Sequence, residues 1–231
     1  MTSFVFDVDG TLTDARQSID PKFEEFMQKF TGMHTCYICT GSDRIKTIEQ
    51  IGENLTNKFT QAYHCSDNHI YQNGKEIGRT DWQLTNDEYN FLQTALDNIP
   101  YTEKTGNHIE QRVGTANFSI CGRNANLAQR ERYAIWEREN RARHTVAQQF
   151  NRLFPNSEAL VAGETSIDIF KKGHDKSQVR KHIPGEIIFF GDKCFPGGND
   201  FALSKLSERF HQINNGWRET FLLLQNFYHN H

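Results

Sequence analysis

The sequence predicts an α/β fold: a doubly wound, mainly parallel core sheet with an inserted α+β domain. Three observations carry this prediction. Short apolar runs alternate with segments of helical period at both ends of the chain, which is the pattern of strands joined by crossover helices. One of those runs, EIIFF, is continuously apolar, as befits a parallel strand covered on both faces. Between the two ends the order changes to helices interspersed with strand pairs, which is the pattern of an α+β module. The expected boundaries are a core formed by 1–80 and 175–231 and an inserted domain spanning 81–174.

Within the first part, SFVFDV reads as a strand that ends around Asp7, Val8 and Asp9. Pro21 opens a helix over 21–30 that carries Phe23, Phe26, Met27 and Phe30 at helical spacing. TCYICT is the second strand. Ser42 is placed to cap a following helix that carries Ile45, Ile48 and Ile51. QAYHC is a third strand, and HIYQNGKEIG is a hairpin turning at Asn73 and Gly74.

The middle part begins with a helix over 86–97. Strands over 108–112 and 117–121 flank Gly114, one long charged helix runs over 127–154, and a strand pair covers 158–162 and 166–170. The end returns to the first pattern. A helix near 176–182 leads to EIIFF, the loop GDKCFPGGND, a further helix, a short strand near 210–213 and a final helix from Trp217.

Composition excludes several classes. A length of 231 residues supports a sizeable core, and 18 phenylalanines offset a modest aliphatic content. The net charge of −3 gives no global attraction to nucleic acid or to anionic membranes, so neither is expected as a partner. No apolar run approaches a membrane span, and no signal peptide is evident. The five cysteines are odd in number. Cys36 and Cys39 form C-x-x-C, but no second pair supplies further zinc ligands, and in a strand the two face opposite ways. The thiols therefore read as structural and reduced, which implies a cytoplasmic setting.

The chemistry concentrates in four segments. In FDVDGTLT, Asp7 and Asp9 stand two apart at a strand end, so both can point into one crevice, and Gly10 permits a tight turn. Crevices at the carboxyl ends of strands are where ligands bind in such sheets. Paired carboxylates favour a bound Mg²⁺ or a shared proton; one can attack phosphorus while the other moves a proton. In FFGDKCFPGGND, Asp192 follows another buried strand, and Asn199 and Asp200 follow a glycine-rich loop. An aspartate there could complete an oxygen-rich Mg²⁺ site, although Asn199 could equally be a helix cap. In TGSD, Thr40 and Ser42 could cradle a phosphate at a helix start, or Ser42 could simply cap. In KGHDKSQV, Lys176 could neutralise a nucleophile and a transferring phosphoryl group, or sit on the surface.

Taken in order, these four segments resemble the four motifs of the haloacid dehalogenase superfamily, whose core is Rossmann-like. The longer strings GSDRIKTIEQIGENL, IEQRVGTANFSICGR, SIDIFKKGHDK and FFGDKCFPGGND resemble one family within it, the eukaryotic-type phosphomannomutases. The resemblance implies that Asp7 becomes an aspartyl phosphate, that Asp9 is the general acid/base and binds Mg²⁺ through its carbonyl, and that Asp192 is the third metal ligand. It implies that Asn199 and Asp200 support the metal and Lys176. It makes the inserted domain a cap, in which Arg112, Arg123 and Arg130 hold the second phosphate with Ser166 and Asp168, joined by Arg16 from the loop after the nucleophile. The planar guanidinium suits phosphate oxygens. Arg132, Arg138, Arg141 and Arg143 read instead as a solvated helix face.

The activity implied is interconversion of mannose 6-phosphate and mannose 1-phosphate, with a hexose 1,6-bisphosphate as activator and a hexose phosphate as substrate. A homodimer through the cap is also implied. A sugar-phosphate phosphatase on the same scaffold is the alternative, and a non-catalytic sugar-phosphate binder a third. The matched arginines favour the mutase, because turnover between two orientations needs a second phosphate site. The sequence departs from the family at His174, where Trp is usual, at VGTAN, which replaces NGMLN, and after Asp200. One Mg²⁺ at Asp7 and no second metal are therefore expected.

Overall fold

The computed structural model describes residues 1–162 and 164–228. The chain forms two compact units, Met1–Thr80 with His174–His231 and, between them in sequence, Asp81–Gly173.

The first unit is built on a seven-stranded sheet. Its strands are β1 (Thr2–Phe6), β2 (Thr35–Cys39), β3 (Gln61–His64), β4 (His69–Gln72), β5 (Lys75–Arg79), β10 (Glu186–Gly191) and β11 (Arg209–Gln212), in the spatial order β11-β10-β1-β2-β3-β4-β5. The first five in that order are parallel, and β4 and β5 close the edge antiparallel. The central position of β1 follows from its composition: Val5 and Phe6 are fully buried and Phe4 is nearly so. Each side chain so removed from water contributes about 1.5–3 kcal/mol. Phe6 stacks on Phe190 of the neighbouring strand at 5.1 Å and meets Phe59 edge-on.

Helix α1 (Pro21–Met33) starts with Pro at its first turn and an Asp20 cap that accepts from Lys22 N. It buries Phe23, Met27 and Phe30 against the sheet and against α8 (Trp217–Tyr228), whose Trp217 and Phe221 meet Phe23. Cys36 packs in the apolar layer on one side of the sheet and Cys39 in the layer on the other. Among the described residues there is no disulfide, and burial pushes both thiols up, as suits structural cysteines.

Several local expectations are corrected. The cap of α2 (Arg44–Ile51) is Asp43, not Ser42: the Asp43 side chain accepts from Lys46 N. Ser42 is spent elsewhere. The inward face of α2 is Thr47, Gln50 and Ile51, while Ile45 is exposed: Ile51 joins the apolar layer and Gln50 faces the polar site around Asp9. A separate short helix α3 (Glu53–Thr56) follows Gly52. Lys176–Lys181 is a 3₁₀ turn, and α7 (Phe201–Leu206) starts from Asp200 with no side-chain cap from Asn199.

The second unit is a four-stranded antiparallel sheet, β6 (Ile109–Arg112), β7 (Thr115–Ser119), β8 (Ser157–Ala162) and β9 (Ser166–Lys171), in the order β6-β7-β9-β8. Its helices are α4 (Asn86–Asn98), α5 (Leu127–Asn140) and α6 (Ala142–Leu153). The expected single long helix is broken at Arg141, whose φ of 48° is left-handed. The expected strand over 117–121 is shifted two residues towards the N-terminus. Alternation places Ala116, Phe118, Ile167 and Ile169 in the apolar core with Leu92, Tyr133 and Phe150. The other face of the same strands carries Thr115, Asn117, Ser119, Ser166 and Asp168, with Phe170 at one end. Among the described residues no helix of the chain is long and apolar enough to cross a membrane.

Candidate active site

In the first unit, the carboxyl end of β1 delivers Asp7, whose N–H donates to Phe190 O at 2.9 Å. The end of β10 delivers Asp192. Asp7, Asp192 and Asp200 each offer one oxygen within 4.8 Å of the others. Lys176 is buried beside them, its Nζ 2.8 Å from Asp7 Oδ1 and 2.6 Å from Asp200 Oδ1. Asp200 Oδ2 accepts from Lys193 N, and Lys193 Nζ lies 3.4 Å from Asp192 Oδ2. Gly10 is required here: its φ is +76°, and a Cβ would stand 2.6 Å from Asp192 Oδ2.

Burial pushes the Asp7 carboxyl up to about 7; Lys176 opposes this, and Asp200 and Asp192 reinforce it. Burial likewise raises Asp192, against Lys193. Lys176 is raised well above the usual ammonium range: burial disfavours its charge, but Asp200 and Asp7 outweigh burial. Three carboxylates thus face two ammoniums, and Asp192 Oδ1 and Asn199 Oδ1 are buried with no hydrogen-bond partner. That oxygen-rich, negatively biased set fits a hard divalent cation. Lys193 is the member that sequence reasoning missed. A lysine directly after a motif aspartate has no distinctive spacing, and only the fold of the loop turns it inward.

Asp9 leaves this cluster. Its Oδ1 accepts from Arg16 N at 2.9 Å and Gln50 Nε2 at 3.0 Å; its Oδ2 accepts from Lys46 Nζ at 2.6 Å and Ser42 Oγ at 3.2 Å. Burial would raise this carboxyl, but Lys46, with help from Arg16 N and Gln50, holds it at about 2. Thr40 Oγ1, at the end of β2, accepts from Ser42 N. Arg16 reaches Asp9 through its backbone, with a left-handed φ of 62°. Lys46 and Gln50 were not anticipated, although their i, i+4 spacing after Ser42 puts them on one helix face.

In the second unit, β6, β7 and β9 carry a polar row. Glu110 pairs with Asn117, and Asn117 with Asp168, directly across the strands. Asn117 Nδ2 donates to Asp168 Oδ1 at 2.7 Å. Ser166 and Arg112 lie two residues along from Asp168 and Glu110 and share their face. Glu110 Oε2 holds both Arg112 Nη2, at 2.6 Å, and Arg123 Nε, at 3.1 Å. Arg130 is buried; its Nε donates to Ala125 O and its Nη1 to Thr165 Oγ1, while Nη2 has no partner. Gly122 precedes Arg123 with φ +87°, where a Cβ would collide with Thr105 O.

Arg143 corrects the expectation of a solvated face. It is largely buried, 3.3 Å from Glu137, and donates to Ser166 O. Arg132 does match that expectation, as an exposed partner of Glu103.

The fold has solved counterparts. The chain is similar to an IMP-nucleotidase of Plasmodium falciparum (TM-score 0.66, 12% identity, covering 99% of this chain and 68% of that one). It is also similar to a haloacid dehalogenase-like hydrolase from Bacteroides thetaiotaomicron (TM-score 0.59, 12% identity, 96% and 99%). At these identities the likeness defines the fold: the core is that of the haloacid dehalogenase-like proteins. Sequence comparison goes further. The profile of the eukaryotic phosphomannomutases matches residues 23–223. Curated relatives named phosphomannomutase, from Dendrobium officinale and Saccharomyces cerevisiae, are 32% and 31% identical over 215 residues. Those alignments cover 89% and 87% of this chain and 85% and 84% of the relatives. The chain belongs to the eukaryotic phosphomannomutase family.

Proposed function

We propose that the chain interconverts mannose 6-phosphate and mannose 1-phosphate through a phosphorylated Asp7, with a hexose 1,6-bisphosphate as activator. The observation that carries this reading is the buried Asp7 carboxylate at the end of β1, flanked by Lys176, Asp192 and Asp200.

In this reading Asp7 is the nucleophile. Lys176 neutralises it and the incoming phosphoryl group, and Asp200 fixes Lys176 in place. Asp7, the Asp9 carbonyl and Asp192 would hold Mg²⁺, with Asn199 and Asp200 in support. When bound, Mg²⁺ supplies charge neutralisation at the transferring phosphoryl group. Asp9 takes the proton from the sugar hydroxyl that attacks, and returns it to the oxygen left behind. Thr40 and Ser42 line the phosphoryl site. Arg16, Arg112, Arg123, Arg130, Ser166 and Asp168 receive the sugar and the phosphate that is not being transferred. The unpaired buried Nη2 of Arg130 and Oδ1 of Asn117 support a polar ligand there.

A family of mutases at 30–32% identity favours isomerisation over hydrolysis. Incubation with mannose 1-phosphate, Mg²⁺ and a trace of hexose 1,6-bisphosphate tests it. Mannose 6-phosphate is the expected product; bulk release of inorganic phosphate would instead establish a phosphatase. A cytosolic setting and a homodimer through the second unit belong to the same reading, and sedimentation of the purified chain tests the dimer.

A further inference from the structure

A carboxylate has about four lone-pair sites, two on each oxygen. In Asp9 all four are taken: Arg16 N and Gln50 Nε2 on Oδ1, and Lys46 Nζ and Ser42 Oγ on Oδ2. A hydroxyl can hand its proton to Asp9 only after one donor has left.

The four donors differ in how readily they leave. Arg16 gives a backbone N–H. Gln50 is buried and braced by a second bond to Thr13 Oγ1 at 3.0 Å. Ser42 is buried and short, and it also receives a bond from Lys46 Nζ at 3.0 Å. Lys46 is the long one. Its side chain keeps 25% of its exposure, and of the four donating groups its ammonium is the charged one, which a phosphate can attract.

We propose that Lys46 is a gate on Asp9: it blocks the proton-accepting oxygen until a sugar phosphate draws the ammonium away. Gln50, one turn further along α2, is the positioning residue that keeps the carboxylate aimed while Lys46 moves. This rests on the mutase reading above. In the gated step the sugar hydroxyl oxygen forms a bond to phosphorus. The bond from phosphorus to Asp7 breaks with its electron pair returning to the Asp7 carboxylate, and the hydroxyl proton passes to Asp9 Oδ2. Water brings no anion to displace Lys46, so the aspartyl phosphate survives until an acceptor sugar arrives.

The test is the lifetime of the phosphorylated enzyme without acceptor, measured beside isomerisation. Lys46→Met opens one acceptor site on Asp9 and should shorten that lifetime roughly a hundredfold, the low end of what a positioned base contributes. It should also raise the share of phosphoryl groups lost to water during turnover. Lys46→Arg keeps a cationic donor and should restore the wild-type lifetime. Because Lys46 is partly exposed, circular dichroism should show both variants folded. An unchanged lifetime in Lys46→Met, with wild-type isomerisation intact, overturns the gate alone. A wild-type chain that neither isomerises nor becomes phosphorylated overturns the mutase reading and the gate with it.

Discussion

The Lys176 ammonium stands 2.8 Å from the Asp7 carboxylate, and both groups are buried. The same ammonium lies 2.6 Å from Asp200, so a single cation offsets two buried anions. Removing one partner of such a set leaves uncompensated charge, which costs far more than the set itself contributes. Lys176→Met should therefore destabilise the chain by about 3–5 kcal/mol. It should also reduce isomerisation to background. Urea unfolding without metal reads the first effect. A Lys176→Met chain as stable as wild type would overturn the claim that Lys176 compensates these buried groups.

Divalent metal should act on the same cluster in the opposite sense. The three carboxylates repel one another, and a bound cation binds the native state only. At a hundredfold excess over its dissociation constant, Mg²⁺ should raise stability by about 2.7 kcal/mol. Asp192→Asn should remove most of that gain, because its Oδ1 is buried with no other partner. Asp7→Asn should abolish turnover while the circular dichroism spectrum stays native. Thermal denaturation with Mg²⁺ or with chelator reads the gain in each variant.

The skeleton of this site was legible in sequence because strand ends are. Apolar runs that stop at an aspartate, with a glycine close by, fix where Asp7 and Asp192 must emerge. Ile45 misled: helical spacing places it with Ile48 and Ile51, but of the three only Ile51 is fully buried, and the first turns of α2 present Lys46 and Gln50 to Asp9 instead. Arg143 was misread for a related reason. The charged stretch has one helical period in sequence, yet the left-handed Arg141 resets the phase, so that Arg143 turns inward towards Glu137 and Ser166. A left-handed arginine has no sequence signal, unlike a glycine. Lys193 and Glu110 are invisible for another reason, since their roles depend on which charges the fold brings to them.

Glu110 makes a separate prediction. One carboxylate oxygen orients both Arg112 and Arg123. If those guanidiniums receive a phosphate, Glu110 sets their geometry without touching the reacting atoms. Glu110→Gln should raise KM about tenfold, equivalent to about 1.4 kcal/mol, and leave kcat nearly unchanged. Steady-state kinetics separates the two. A fall in kcat with constant KM would place Glu110 in the chemistry instead.

The last prediction concerns Asp67, far in sequence from any motif. Its side chain is fully buried in a left-handed turn, φ +73°, and neither oxygen has a hydrogen-bond donor; His182 Nε2 lies at 3.2 Å and Lys181 Nζ at 3.8 Å. Burial pushes this carboxyl up to about 7, against the pull of Lys181. In the unfolded chain it titrates near 4, in the ordinary range. Below that pH both states hold the proton and the residue is neutral to stability. As pH rises from about 4 to about 7 the unfolded state loses its proton first, so the native state is progressively disfavoured, by on the order of 2–4 kcal/mol at pH 8. Asp67→Asn removes the titration, and asparagine tolerates the left-handed backbone. The variant should match wild type at pH 4 and exceed it by on the order of 2–4 kcal/mol at pH 8. Urea midpoints at the two pH values decide it: an equal gain at both would assign the effect to packing, and no gain at pH 8 would mean that His182 and Lys181 fully compensate the anion.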